Sequence, residues 1–205
     1  MTLDSGTLST AGRLGVVAAW LGFVSGVWLR RRPPAASDRA RDRASLAGIL
    51  IQAAGFAMVW GRRRPEGIPI FPMSLVTWLL LTVIAVALAL GSAWLGVAAI
   101  RTLGKQWSLQ ARITQNHDLI TSGPYRFVRH PIYTAMFGLL IATGLTFSRP
   151  VGLAAGFLAF LVGTALRVRA EERLLRATFG ETYEAYARQV PAVVPRALMF
   201  PRAPN

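Results

Sequence analysis

Cysteine is absent from this chain of 205 residues, and histidine occurs only twice. The lack of cysteine excludes disulfides, thiolate catalysis and sulfur-bound metal, and two histidines are too few for a typical zinc site. We therefore expect no metal requirement. Acidic residues are also scarce, because nine of them stand against 23 lysines and arginines, which leaves a formal net charge of +14.

The basic excess does not indicate nucleic-acid binding. Most arginines flank long apolar runs, and the sequence has no separate basic domain that would track a phosphate backbone. Anionic lipid headgroups are the expected counter-charges. The sequence therefore predicts the membrane bilayer as a partner and no nucleic acid.

Charged residues make up only 16% of the chain, whereas 53% is hydrophobic and the mean hydropathy is +0.43. A membrane-spanning helix needs about 17–25 apolar residues. Buried helices of a soluble core are a poor alternative, because too little polar surface remains to cover them. We predict an all-α integral membrane protein with about five transmembrane helices, in five charge-free runs: Leu14–Leu29, Ala44–Gly61, Ile68–Ile100, Pro131–Ser148 and Pro150–Leu166.

Two of these runs need interpretation. Pro69 and Pro72 trim the third run, so its helix is expected to begin near Met73 and to continue toward Leu103. The first run is followed, not preceded, by its arginine cluster, which is the reverse of a signal peptide. We interpret it as a retained span with the N-terminus outside.

The short-loop charges set the expected orientation. Segments 30–43 and 101–129 and the C-terminal tail are basic and fall on one side of five spans, which predicts that this side is cytosolic. The basic stretch GRRRPEG on the other side conflicts with the tendency of basic loops to be cytosolic. The preference for arginine, with Lys105 the only lysine, suggests a GC-rich genome and a prokaryotic inner or plasma membrane.

The chain has no internal repeat and is expected to form one domain, residues 1–205. Within it we distinguish N-terminal spans (1–72), a core that contains the polar blocks and is the candidate for catalysis (73–195), and a tail (196–205). Polar residues concentrate in two blocks, Lys105–Tyr133 and Arg167–Pro195, on either side of the last apolar hairpin. The hairpin places both blocks on the same membrane face, which is expected to be the cytosolic one.

The first block contains TSGPYRFVRHPIY, residues 121–133. Pro131 suits the first position of a helix, which places His130 just outside the helix N-terminus. The unpaired N–H groups there favour a carboxylate or phosphate, with Tyr133 as a further donor. A single histidine such as His130 can equally have a structural role.

The second block, RVRAEERLLRATFGETYEAYARQVPAVVP, continues the fifth helix. Arg167 and Glu171 are four residues apart and share a helical face, so they can form a simple ion pair. Alternatively, Glu171 takes the ammonium group of an amino-acid-like ligand while Arg167 holds an acidic substrate. Gly180 is a candidate break between two helices, and the aromatic residues beyond it also fit an interfacial helix.

The two segments HDLITSGPYRFVRHPIY and RVRAEERLLRATFGETYEAY, with an apolar hairpin between them, resemble the isoprenylcysteine carboxyl methyltransferase family, which shares this signature with membrane phospholipid methyltransferases. The resemblance covers about Gln110–Pro195. It implies an integral-membrane enzyme that uses S-adenosylmethionine without a Rossmann domain, and the chain lacks G-x-G-x-x-G after a strand. The resemblance further implies that the cofactor lies in a cytosolic pocket roofed by the C-terminal helices. A lipid-like, amphiphilic substrate would enter sideways from the bilayer.

The resemblance also implies roles for individual residues. Arg167 matches the substrate-contacting arginine, and Arg129 and Glu172 are expected to orient their neighbours. The cofactor-binding positions are Gln110, His117, Asp118, Leu119, Ile120, Tyr125, His130, Pro131, Ile132, Tyr133 and Glu171.

Methyl transfer from a sulfonium mainly requires a nucleophile held in line and freed of water. A carboxylate acceptor needs no general base, whereas an amine acceptor would need His130 or Glu171 as one. Arg167, His130 and Glu171 are thus the expected catalytic residues, most simply for O-methylation of a carboxylate on a lipid-like or isoprenylcysteine-like acceptor. The alternatives are an NADPH-dependent membrane sterol or enone reductase, and a non-enzymatic membrane protein.

Overall fold

The computed structural model describes residues 4–29, 38–41, 44–114 and 117–195. It consists mainly of helices, and a long connection between residues 104 and 130 precedes the fourth of them. The elements in chain order are α1 (Ser5–Trp28), β1 (Asp38–Arg41), α2 (Ala44–Gly61), α3 (Leu75–Leu103), a 3-10 turn (Gly104–Gln106), β2 (Arg112–Thr114), a 3-10 turn (Gly123–Arg126), α4 (Pro131–Phe147), α5 (Pro150–Phe179) and α6 (Glu181–Gln189).

The predicted membrane architecture is confirmed. Four helices, α1, α2, α3 and α5, are long and apolar enough to cross a bilayer, and α4 is a shorter apolar helix of 17 residues. The chain is an integral membrane protein. One feature departs from the all-α expectation: β1 and β2 form a two-stranded antiparallel ladder. Its polar sequences carry no strand pattern, so the pairing arises from the proximity of the two loops.

The ends of α3 and α5 lie close to the predicted positions. Ser74 caps α3 by accepting a hydrogen bond from the Thr77 amide at 3.2 Å, and the helix ends at Leu103, as expected. Helix α5 continues unbroken well past Leu166, the end of its apolar run. Gly180 has a φ of +50°, a left-handed value that suits glycine, and it separates α5 from α6.

Arg64, from the GRRRPEG stretch, has a structural role at the end opposite the polar blocks. Its buried guanidinium donates to one carbonyl oxygen in the 62–74 connection and to three around the end of α4, where a helix leaves carbonyl groups without internal partners. Burial and the charge of Arg13 lower the pKa of Arg64 to about 10, so the side chain stays charged at neutral pH. The acceptors are the carbonyl oxygens of Ile68 (2.8 Å), Leu145 (2.6 Å), Thr146 (2.9 Å) and Ser148 (2.5 Å).

These contacts bear on the conflict between the basic GRRRPEG stretch and the expectation that basic loops are cytosolic. Arg64 is used to close a helix end, and Arg13 pairs with Glu66. Two of the arginines on this side are therefore accounted for by contacts within the protein.

Helices α2 and α5 approach closely at two pairs of glycines. A Cβ atom on Gly163 would lie 2.7 Å from the carbonyl oxygen of Gly48, and one on Gly55 would lie 2.8 Å from that of Gly156. Both distances are too short for any larger residue without displacement of the backbone. The close packing places the face of α2 that carries Gln52 against the part of α5 that carries Arg167.

Candidate active site

The polar blocks meet where α4 begins and α5 passes beyond the apolar core. Segment 190–193, which follows α6, lies across this helix start. The amides of Arg129 and His130 donate to the carbonyl oxygens of Pro191 (2.8 Å) and Ala192 (2.9 Å), and the Thr134 hydroxyl donates to that of Val193 (2.6 Å). The C-terminal segment thus covers the start of α4, as predicted for a roof over the site.

His130 lies between two carboxylates. Its Nδ1 is 3.2 Å from Glu171 Oε2 and its Nε2 is 3.3 Å from Glu172 Oε1. Neutral imidazole has only one N–H, so it would turn a lone pair toward one of the carboxylates, whereas imidazolium donates to both. Burial lowers the pKa of His130, but hydrogen bonds to Glu171 and Glu172 outweigh it and the pKa is raised. The two carboxylates therefore favour the imidazolium form of His130.

Glu172 is enclosed by basic side chains. Arg129 donates to Oε1 from Nε at 3.1 Å and from a terminal nitrogen at 2.7 Å, and Arg176 donates to Oε2 at 3.0 Å. Arg129 also donates to the carbonyl oxygens of Ala187, at 2.9 Å, and Val190. Glu172 thus links the start of α4, α5 and the segment after α6, and three nitrogen atoms of Arg129 and His130 surround its Oε1.

Glu171 has a more open environment. Its side chain is 27% exposed, against 9% for Glu172. The hydroxyl of Tyr133 donates to Oε1, while Oε2 faces His130. Each oxygen has further acceptor capacity. Glu171 is therefore the carboxylate of the pair that a cationic ligand can reach.

Arg167 is buried, at 5% exposure, and its guanidinium has neutral partners. It donates to Gln52 Oε1 at 2.9 Å and to the carbonyl oxygen of Leu109 at 2.6 Å. Its Cζ also lies 4.7 Å from the centroid of the Tyr133 ring. Among the described residues no ion pair joins Arg167 to Glu171, so the simple pair that their spacing allows does not form.

Tyr133 connects the two sides of the site. Its ring faces the Arg167 cation and its hydroxyl contacts Glu171. The two charged residues are one helical turn apart on α5, which corresponds to a rise of about 6 Å. A cation-binding and an anion-binding position thus lie side by side, with the phenol ring between them.

Other predicted cofactor residues surround this centre. Tyr125 is buried, and its carbonyl oxygen accepts a hydrogen bond from the Tyr186 hydroxyl at 2.6 Å. Burial, together with the charge of Glu171, raises the pKa of Tyr125. Pro131 is buried at the first position of α4 as predicted, and Ile132 is half-buried. Gln110 is half-buried and follows Leu109, whose carbonyl oxygen binds Arg167.

The His117–Ile120 run lies farther along the site. The rings of His117 and Phe179 are 6.2 Å apart, and Phe179 is eight residues beyond Glu171 on α5, or about 12 Å along the helix. Burial lowers the pKa of His117. Asp118 is exposed and its amide donates to Gln106 Oε1 at 2.9 Å, while Leu119 and Ile120 are half-buried.

The sequence analysis missed one residue of the site, Gln52. It lies in the second span, which carries no recognisable motif, and it binds Arg167 directly. A signal was present, since Gln52 is the only amide side chain within the run Ala44–Gly61. Polar side chains inside membrane helices are costly and commonly face a functional interior. Within the described residues, no cluster of three or more His, Asp, Glu or Cys is arranged to hold a metal.

The spans and the buried charge cluster define a polytopic membrane protein with an enzyme-like site at one membrane face. Residues 81–177 match the family model described as the isoprenylcysteine carboxyl methyltransferase (ICMT) family. This part of the chain matches that family, which agrees with the resemblance read from the motifs. The match begins upstream of the predicted Gln110, within α3, and ends before α6.

Curated proteins with different names are similar to this chain. Cobalt-zinc-cadmium resistance protein CzcN of Cupriavidus metallidurans is 38% identical over 108 residues, which are 52% of this chain and 49% of that protein. Protein-S-isoprenylcysteine O-methyltransferase of Xenopus laevis is 33% identical over 122 residues, 58% of this chain and 42% of that protein. The chain thus spans about half the length of these curated relatives.

A solved structure is also similar. It is that of the eukaryotic intramembrane Ras methyltransferase ICMT, with a TM-score of 0.48 and 20% sequence identity over 86% of this chain and 73% of that one.

Proposed function

We propose that this protein is an S-adenosylmethionine-dependent membrane methyltransferase that O-methylates the carboxylate of a lipid-like, isoprenylcysteine-like acceptor. The family match over residues 81–177 supports the reaction class, and the Xenopus laevis relative is named for O-methylation of protein S-isoprenylcysteine. Neither the reductase nor the non-enzymatic alternative has comparable support.

The observation that carries the acceptor assignment is the environment of Arg167. This buried cation has an amide oxygen, a carbonyl oxygen and an aromatic face as partners. Its charge is held in place but is not neutralised by a direct ion pair, and its buried Nε has no hydrogen-bond partner. An unpaired buried cation attracts an anion strongly. A carboxylate acceptor supplies that anion.

The side of Tyr133 that contacts Glu171 suits the methyl donor. When bound, S-adenosylmethionine supplies a methyl group on a positively charged sulfur. Glu171, partly exposed and oriented by His130 and Tyr133, would hold the cationic amino-acid end of such a ligand. The half-buried Leu119 and Ile120 and the paired rings of His117 and Phe179 offer an apolar surface for its nucleoside end. Gln110, Asp118, Tyr125, Pro131 and Ile132 complete the proposed cofactor-binding set.

The two candidate bases for N-methylation are His130 and Glu171, and the surroundings of His130 do not suit that role. Held as imidazolium between Glu171 and Glu172, it has no lone pair with which to accept a proton from an amine. A carboxylate is already deprotonated near neutral pH and requires no base. We therefore assign His130 the role of orienting Glu171, while Arg167 binds the acceptor.

The proposal includes an orientation. The described ends of the membrane helices place both polar blocks on one face and the 62–74 connection on the other, as the hydrogen bond between the Arg149 amide and the Arg62 carbonyl oxygen illustrates. We assign the site to the cytosolic face of a prokaryotic inner membrane, with the N-terminus outside.

The test is a methyl-transfer assay with detergent-purified protein and S-adenosylmethionine carrying a labelled methyl group. Acceptors are N-acetyl-S-farnesylcysteine, its carboxamide, and phosphatidylethanolamine vesicles. We expect labelling of the carboxylate alone, in a product that releases methanol in base as a methyl ester does. Binding of S-adenosylhomocysteine and of NADPH is measured by calorimetry in parallel.

Each other outcome rejects a defined part of the proposal. Base-stable labelling of phosphatidylethanolamine would replace O-methylation by N-methylation. Binding of NADPH without S-adenosylhomocysteine would favour the reductase, and binding of neither would favour a non-enzymatic protein.

A further inference from the structure

We propose that Gln52, in the second membrane helix, is a positioning residue that orients Arg167 toward the anionic acceptor. The inference rests on the proposed function, because it uses the acceptor role of Arg167. Gln52 lies outside residues 81–177, which match the family model. The site therefore extends into a helix that the family motifs do not reach.

The contacts of Gln52 fix its amide at both ends. The side chain is 2% exposed, its Oε1 accepts from Arg167 at 2.9 Å, and its Nε2 donates to the Thr164 hydroxyl at 2.8 Å. A guanidinium can only donate, so the amide oxygen must face Arg167 and the nitrogen must face Thr164. Thr164 lies one turn before Arg167 on α5, and the amide links the two.

The helices pack closely around this contact. A Cβ on Gly48 would lie 2.5 Å from the Cγ of Arg167, and one on Gly163 would lie 2.8 Å from the Cγ of Gln52. The two glycines let α2 and α5 approach until a short amide spans the gap. The aliphatic part of Arg167 is thereby held against α2, and its guanidinium is directed to one position.

Gln52 is uncharged, and this property also affects Arg167. A carboxylate at this position would form a buried ion pair with Arg167 and remove its attraction for an acceptor anion. The other guanidinium acceptor, the carbonyl oxygen of Leu109, is neutral as well. Gln52 thus orients the cation and leaves its charge available.

The experiment compares two substitutions of Gln52 in detergent-purified full-length protein saturated with S-adenosylhomocysteine. Gln52→Met keeps the length and volume of the side chain but removes both hydrogen bonds, and Gln52→Glu keeps an oxygen on Arg167 but neutralises it. Calorimetry measures binding of N-acetyl-S-farnesylcysteine and of its uncharged carboxamide. Ala53→Met, on the exposed side of the same helix, is the matched control.

We expect the wild type and Ala53→Met to prefer the carboxylate. Gln52→Met should weaken carboxylate binding by about 10–100-fold, as for loss of a hydrogen bond to a charged group, with little change for the carboxamide or S-adenosylhomocysteine. Gln52→Glu should abolish the preference. Thr164→Val, which removes one anchor of the amide, should give a smaller loss and provides a second variant if Gln52→Met does not fold.

Two results would overturn the inference. One is a wild-type carboxylate preference in Gln52→Met; the other is an equal loss of all three ligands together with a lower melting temperature, which would indicate a packing role alone. Failure of the proposed function would be seen in the binding measurements on the wild type, before any variant is compared. A wild type that binds S-adenosylhomocysteine but neither probe rejects the acceptor class and this inference with it, and one that binds no S-adenosylhomocysteine rejects the methyltransferase.

Discussion

Glu171 and Glu172 are neighbours in the sequence but have different surroundings in the fold. The Glu172 carboxylate is enclosed by Arg129, His130 and Arg176, whereas the Glu171 side chain keeps 27% of its surface exposed. Consecutive residues of a helix point about 100° apart, so one carboxylate reaches Arg129 and Arg176 and the other lies beside Tyr133. One glutamate therefore stabilises the site and the other is available to a ligand.

Replacement of Glu171 should reduce cofactor binding. We expect Glu171→Gln to bind S-adenosylhomocysteine about 10–100-fold more weakly, because a charged hydrogen-bond acceptor for the ligand's ammonium group is lost. Titration calorimetry measures the change. Glu181→Gln, at an exposed position of α6, should bind like the wild type, and equal effects of the two substitutions would contradict the role of Glu171.

Replacement of Arg167 should affect the acceptor instead. Arg167→Lys keeps the charge, but a single ammonium cannot reach both Gln52 and Leu109 in the fork geometry of a guanidinium. We expect the KM for N-acetyl-S-farnesylcysteine to rise about tenfold or more while S-adenosylhomocysteine binding changes little. Steady-state kinetics and calorimetry separate the two effects. A KM unchanged from the wild type would remove Arg167 from the acceptor site.

The charge of His130 predicts a pH dependence of stability. The groups that face its ring are Glu171, Glu172 and the Tyr133 ring, and the carboxylates raise its pKa above the ordinary value of 6.5. The stabilisation is therefore complete below pH 6.5 and is lost as the pH rises through the raised folded-state pKa. The melting temperature should fall over this range in the wild type.

The other histidine provides the control for this experiment. His130→Gln should remove the His130 part of the pH dependence above 6.5, whereas His117→Gln should retain it, because burial lowers the pKa of His117. Identical pH profiles for the wild type and His130→Gln would contradict a charged His130.

Arg64 should be important for stability but not for ligand binding. Arg64→Met leaves several buried carbonyl oxygens at the end of α4 without donors, and we expect a loss of about 2–4 kcal/mol in the free energy of unfolding. Thermal unfolding in detergent measures this loss. Arg62→Met, at the exposed neighbouring position, should change stability little, and a similar loss in both variants would contradict the capping role.

The absence of cysteine allows a direct test of orientation. Pro65→Cys and Lys105→Cys place single thiols at exposed positions on opposite faces. In intact bacterial cells a membrane-impermeant maleimide should label Cys at position 65, and should label Cys at position 105 only after permeabilisation. The reverse pattern would place the site outside and contradict the proposed localisation.

The sequence by itself determined the membrane class, the approximate ends of the helices and the two polar blocks. These follow from local properties, since an apolar run of span length has few structures available in a bilayer. The family motifs mark both His130 and Glu171, so the sequence assigned these two residues to one site. The different roles of Glu171 and Glu172 could not be predicted from the sequence. They depend on how Arg129 and the segment after α6 pack against α5.

The tertiary structure alone decided the partners of Arg167. Its spacing from Glu171 allowed an ion pair, yet its guanidinium turns to Gln52, 115 positions away in the sequence. That choice depends on the close approach of α2 and α5 at Gly48 and Gly163, a packing relationship between distant segments. Local pattern sets which residues lie in a helix and on which face, but the contact that leaves Arg167 without a direct ion pair arises only when the two helices meet.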